Sequence, residues 1–236
     1  MLFRPTHYRA VTPQNRGRFN GFDVLAQVDK WDTVTAGVVL ARLALPSMLA
    51  FFTVDEVAVA TPMLDLLLAQ DADPKIPVLE LIDARLAAGE TDGWHYDDMP
   101  EDGQAWRESL AALDGDAHNR CGAGYADLAG EDQARVLQNI QDLSDNGDDW
   151  HGWPAGHVWS LWTRYACTAF YSHPWAWNEM GFPGPAYPRG YLNPGVNARE
   201  SFEIADQHSA DPVPFAARVE RARRADAALV EGATDG

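Results

Sequence analysis

Between Gly181 and Gly190 the chain reads "GFPGPAYPRG", three prolines and three glycines in ten residues. Proline fixes φ and removes a backbone donor, while glycine favours turns, so this stretch excludes both a helix and a central strand. Pro183, Pro185 and Pro188 favour an extended, polyproline-like path for the segment after Pro174. The sequence just before it is aromatic: Trp150, Trp153, Trp159, Trp162, Trp175 and Trp177 fall within 28 residues, with Tyr165, Phe170 and Tyr171 among them. An extended path exposes Phe182, Tyr187, Arg189 and Tyr191, residue types that interface hot spots favour. Such a strap has two uses. It lies on another protein, or it folds back over a hydrophobic face of its own domain.

The rest of the chain reads as helices. Asp32 is a cap for a helix over 33–45, with Val34, Val38, Leu40 and Leu45 as its inward positions. Thr53 and Glu56 have the spacing of a capping box, and Pro62 is expected to kink or split the helix that follows. "IPVLELIDARLAAG" places Val78, Leu79, Ile82 and Leu86 on one face and stops at Gly89. "EDGQAWRESLAAL" predicts a shorter helix, and "GEDQARVLQNIQDL" an amphipathic one with Val136, Leu137, Ile140 and Leu143 inward. "GHVWSLWTRYACTAFYS", about 156–172, is aromatic on several faces and is predicted to be central. A final helix is expected over 212–230, where Arg218, Arg221, Arg223 and Arg224 form a solvated basic face.

No alternating strand is visible; the one hairpin signal, Asn146-Gly147, has acidic flanks. The expected fold class is therefore all-α, five to seven helices with long loops at 89–101, 144–154 and 173–200. Its organisation is an N-terminal extension with one helix (1–50) packed on the main domain (51–200), followed by a C-terminal helix and frayed tail (201–236).

With 236 residues, nearly half of them apolar, the chain can bury a substantial core. A formal net charge of −17 argues against nucleic acid and anionic membrane surfaces as partners. The longest apolar run, 34–52, contains Arg42 and Pro46, which favours a buried helix over direct membrane insertion. No secretory signal opens the sequence, so a cytoplasmic location is expected; export with a signal-bearing partner is the alternative. Cys121 and Cys167 read as structural thiols.

Motifs of catalytic chemistry are sparse in this chain. There is no dinucleotide fingerprint, no phosphate loop, no nucleophile elbow and no HExxH, so neither catalytic residues nor a bound cofactor is expected in this chain. His151, His157 and His173 are the candidates for a metal-dependent enzyme, although their spacing is not that of one helical face. The acidic loops 92–103 and 144–153 lack the register of an EF-hand. A carbohydrate-binding helical module, its tryptophans stacking on sugar rings, is the other alternative.

Three segments carry a family likeness: "FFTVDEVAVATPMLDLLLAQDADP" (51–74), "VLELIDARL" (78–86) and "FYSHPWAWNEMGFPGPAYPRGY" (170–191). Together they resemble the gluconate 2-dehydrogenase subunit 3 family, over about residues 51–191. The last segment is the specific one, because its glycines and prolines come in a fixed order. The resemblance implies a non-catalytic small subunit that wraps, stabilises or helps mature a partner. That partner would be an FAD-dependent dehydrogenase of the glucose–methanol–choline (GMC) type acting on sugars or sugar acids, in some complexes with a cytochrome subunit. The expected partner contacts are Tyr171, Trp175, Trp177, Phe182, Pro183, Pro185, Tyr187, Arg189 and Tyr191. The family's twin-arginine export signal has no counterpart here, and about 50 residues of the chain's own precede the similar region.

Overall fold

A computed structural model describes residues 10–19, 21–44, 48–192, 194–196 and 198–204. Its body is five helices: α2 (Val54–Leu67), α3 (Val78–Ala87), α4 (Asp102–Cys121), α5 (Gly130–Asn146) and α6 (Ala155–Ser172). Before them comes α1 (Thr33–Ala41), and after them the short α7 (Pro174–Met180). Helix α6 touches α2, α3, α4, α5 and α7, so the aromatic helix is central, as its all-round aromatic pattern predicts. Met63, Ile82, Trp106, Leu110, Leu113, Ile140, Val158, Trp162 and Tyr165 form the middle of the core. Two of the buried aromatics have partners for their polar atoms: Trp162 Nε1 donates to Ser109 Oγ at 2.9 Å, and the Tyr165 hydroxyl to Asp102 at 2.6 Å; Trp106 Nε1 has none.

Several expected local signals are present. Thr53 and Glu56 close a reciprocal capping box at the start of α2. Val78, Leu79, Ile82 and Leu86 are buried on α3, which runs out just before Gly89 in the left-handed region. Val136, Leu137 and Ile140 are buried on α5, with Leu143 half-buried beside them.

Other expectations are corrected. Pro62 does not split α2, which runs unbroken from Val54 to Leu67; the carbonyl that loses a donor belongs to Ala58, an exposed residue, where it is open to solvent. Helix α4 is the longest, not a short one. Its apolar period fades after Leu113, and only Ala117 is buried beyond it, but the helix continues to Gly122 at φ 77°. The expected loop at 144–154 is instead the end of α5 followed by a hairpin of two-residue strands, β1 (Asp149–Trp150) and β2 (Trp153–Pro154). Gly147 caps α5, and the turn is His151-Gly152, both with positive φ as the strand twist demands. The helix expected over 212–230, with its four arginines, lies outside the described residues.

A single buried carboxylate fixes the entry into α2. Asp83, on α3 and 3 % exposed, accepts the backbone N–H groups of Ala50, Phe51 and Phe52 at 2.7, 2.9 and 2.8 Å. Arg107 of α4 closes the same corner, donating to both Glu56 oxygens and to the Phe51 carbonyl. Three converging amides replace the water a buried anion loses, so removing the acceptor strands three donors at once. Asp83→Ala is expected to lower the unfolding free energy by about 3 kcal/mol, read as a drop in urea midpoint at unchanged m.

A second joint ties α6 to α7. The His173 imidazole is 1 % exposed and accepts the Trp175 N–H at 3.2 Å, which caps α7. Burial pushes its pKa down from 6.5 to about 4, against the opposing effect of a hydrogen bond to the Arg42 backbone. The unfolded chain thus binds a proton below pH 6.5 that the folded chain refuses until about pH 4. Stability from this group is complete above pH 6.5 and is lost as the pH falls toward 4. Between pH 7 and pH 4.5 the loss from His173 is expected to be about 2 kcal/mol. His173→Asn, which keeps a capping acceptor, should show a correspondingly flatter pH profile in parallel urea titrations.

Candidate functional site

The N-terminal residues form a separate layer against α7. Two short 3₁₀ turns (Pro13–Asn15 and Val24–Lys30) and α1 surround a small cluster of Val24, Trp31, Val39 and Trp177. Only Val39, with Ala36 packed alongside, faces this cluster from α1. Val34, Val38 and Leu40, expected to point inward, are 74, 54 and 41 % exposed; Leu45 lies outside the described residues. The helix is apolar all round, so its sequence carries no period from which an inner face can be read.

The segment after Pro174 is not extended from its start. Pro174 takes the first position of α7, where a missing N–H costs nothing, and Gly181 at φ 75° ends the helix. Trp175 is half-buried against the main core, its ring edge-on to His173. Trp177 is 6 % exposed and sits in the small cluster, with Nε1 donating to the Tyr171 carbonyl at 2.7 Å. Arg42 lies 5.6 Å over one side of its ring, and Phe182 meets it edge-on at 5.4 Å. Trp177 is therefore a fold residue that supports its neighbours. Tyr171, on the last turn of α6, is half exposed.

Beyond Gly181 the strap folds back on its own chain. Trp31 Nε1 donates to the Pro185 carbonyl at 2.9 Å. Gly184 lies at φ 77° so close to Trp31 that an added Cβ would meet Cζ2 at 2.5 Å. Arg189 donates to the Pro183 carbonyl and to Gln27 Oε1, and its guanidinium stacks 3.6 Å over Phe202. Pro183, Pro185 and Arg189 are accordingly half-buried. The outward side chains are Phe182, Tyr187 and Tyr191, at 41, 66 and 55 % exposure. Of the two uses open to the strap, self-packing is thus present, and it leaves an aromatic outer edge.

The three histidines do not converge. His151 pairs with Asp116 at 2.9 Å, His157 pairs with Asp98 at 2.8 Å while stacking on Tyr96, and His173 is the buried cap of α7. Among the described residues no three His, Cys, Asp or Glu side chains are grouped to hold a metal ion. The acidic loop 92–103 is structural at Asp92, which takes both Arg85 and Arg164 and so binds the loop to α3 and α6. Burial raises the Asp92 carboxyl, but the two guanidiniums outweigh it and hold it below the usual carboxylate range.

A cleft of about 550 Å³ opens beside Tyr171, between the first 3₁₀ turn, the end of α2 and the ends of α6 and α7. Leu67, Leu68, Phe19, Phe170 and Met180 supply apolar wall, with Arg16, Arg18, Glu179 and Cys167 among the lining. Burial lifts the Glu179 carboxyl above its ordinary range even though Arg18 and Arg16 oppose it. Arg16 is itself held by Asp71 at 2.8 Å.

Neither the curated proteins nor the solved structures contain a significant match to the chain. The family model described as gluconate 2-dehydrogenase subunit 3 matches residues 54–184, more than half of the sequence. Its limits run from the first residue of α2 to Gly184, where the strap meets Trp31, so the match takes in all five body helices and α7. No described helix is long and apolar enough to cross a membrane. The chain belongs to the gluconate 2-dehydrogenase subunit 3 family, a subunit of a multi-subunit dehydrogenase.

Proposed function

We propose that this chain is the non-catalytic accessory subunit of a flavin-dependent sugar or sugar-acid dehydrogenase. In this reading it binds a GMC-type subunit that carries the FAD, and it stabilises that subunit or helps it mature. A cytochrome subunit would take the electrons in complexes that have one. Family membership over residues 54–184 carries the proposal, because the family is named for a subunit and not for a free-standing enzyme.

The geometry supports it in a specific way. Tyr171, Phe182, Tyr187 and Tyr191 present large aromatic surface to solvent from a backbone that is already fixed by Trp31, Arg189 and Gly184. A pre-ordered strap loses little conformational entropy on binding, so its aromatics can act as anchors. Trp177, by contrast, supports the surface from below.

The direct test is a mild affinity purification of the tagged chain from its native host, followed by mass spectrometry and a visible spectrum. A near-stoichiometric yellow flavoprotein is the expected result; a colourless chain eluting alone, from cells expressing such flavoproteins, would refute the reading. With the purified dehydrogenase, Phe182→Ala combined with Tyr187→Ala should weaken binding by roughly 2 kcal/mol, while Tyr187→Ala alone, at a side chain 66 % exposed, should leave the melting temperature unchanged. Trp177→Ala should instead destabilise the chain itself by about 3 kcal/mol, a loss read by thermal denaturation in the absence of any partner.

A further inference from the structure

Helix α7 joins the N-terminal layer to the strap. It carries Trp177, which Arg42 and Phe182 both contact, and Asn178, which is 2 % exposed. Asn178 Oδ1 accepts the Val24 N–H at 2.7 Å, and its Nδ2 donates to the Val11 carbonyl at 3.0 Å. Seven residues are too few for a helix to persist unaided, so α7 depends on its ends and its contacts. Its first end is the His173 imidazole. Nδ1 accepts the Trp175 N–H and therefore carries no proton, which leaves Nε2 with the hydrogen that bonds the Arg42 backbone at the end of α1. One neutral ring thus ties the start of α7 to the end of α1. A proton on Nδ1 would remove the acceptor and set two donors against each other.

The charges around the ring oppose that proton as well. The Arg42 guanidinium donates to the Ser172 carbonyl at 2.8 Å, beside His173, and disfavours a second positive charge there. The carboxylates of the elements packed around the ring are engaged elsewhere. Glu179 of α7 faces Arg16 and Arg18, Asp23 and Asp32 cap the Val24–Lys30 turn and α1, Asp29 pairs with Lys30, and Arg164 of α6 is held by Asp92. The other described histidines differ: His95, His118, His151 and His157 face Glu101, Asp114, Asp116 and Asp98. A proton there adds an ion pair, whereas a proton on His173 breaks a cap and meets a guanidinium. We infer that His173 is a proton-operated latch: one proton at Nδ1 opens the layer of α7, α1 and the strap while the five-helix body stays folded, and so releases the dehydrogenase subunit in acid. Only the last step rests on the accessory-subunit reading above; the opening belongs to the chain alone. The layer can open by itself because Val24, Trp31, Val39 and Trp177 form a cluster separate from the main core. Burial holds the ring's pKa at about 4 against 6.5 in the open chain, so opening becomes easier as the pH falls from 6.5 toward 4.

The test is hydrogen exchange of the full chain without partner at pH 7 and pH 5, read by mass spectrometry and corrected for intrinsic rates. Segments 24–41 and 174–190 are expected to lose about 20-fold in protection, while α5 keeps its own. Across the interval their log protection should fall with pH at a slope approaching one, the count for a single ring. His173→Asn should remove most of the difference. Glu179→Gln, at the α7 carboxyl that burial lifts, should leave it in place. With the dehydrogenase subunit from the purification above, the dissociation constant of the native chain should rise about 20-fold from pH 7 to pH 5, and that of H173N far less. Unchanged protection, a loss shared by α5, or a loss that H173N retains in full overturns the latch. If H173N is open already at pH 7, the slope in the native chain decides, and a slope of zero overturns it. If the segments open as expected but no dehydrogenase binds at either pH, the accessory reading falls and the latch stands. If a dehydrogenase binds equally well at both, the release is refuted.

Discussion

Everything on the candidate surface depends on the burial of one ring. Trp177 has α1 and its Arg42 on one side, the strap's Phe182 on another, and the last turn of α6 at its indole nitrogen. A tryptophan can do this because it combines the largest apolar face with a single donor that fixes its orientation. Its position is in turn set by α7, a helix of seven residues started by Pro174, capped by the neutral His173 and ended by Gly181. The short helix turns the chain from the core-filling α6 to the outlying strap and aims Trp177 at the N-terminal layer.

The five-helix body is fixed by different means, and its weak points are polar. The aromatic core around α6 is large, but the path into α2 depends on Asp83 collecting three amides and on Arg107 bracing the same corner. The loop before α4 is held in the same manner by Asp92 between two arginines. Apolar burial makes this body compact, and a few carboxylates determine where its connections run.

Much of this was legible in the sequence because periodic burial leaves a periodic trace. The faces of α3 and α5 are read directly from Val78, Ile82 and Leu86 and from Val136, Leu137 and Ile140. The family likeness was legible as well, in the ordered glycines and prolines of 181–190. What the sequence hides is context. Nothing distinguishes Asp83 from any solvated helix acid, since its three donors come from 31 to 33 residues away. Val34 and Val38 look like core because hydrophobicity says nothing of which neighbours exist to cover it. Pro174 reads as a breaker and is a starter; Pro62 reads as a breaker and is tolerated, because the carbonyl it leaves faces water. The strap's fate was undecidable for a related reason: its anchors, Trp31 and Gln27, lie more than 150 residues upstream.

That distance has a consequence in time. Val24 N–H bonds to Asn178 and Trp31 to Pro185 across separations of 154 residues, so the clasp joins a region made early in synthesis to one made late. The body can close only once its central helix α6 has been made, and α1 and the strap find their places later still, after residue 185 has left the ribosome. Until then Trp31 and Trp177 have no cover. A surface completed this late is absent from any chain truncated before Pro185, so a partner that reads both halves of it would engage only molecules in which the clasp has closed.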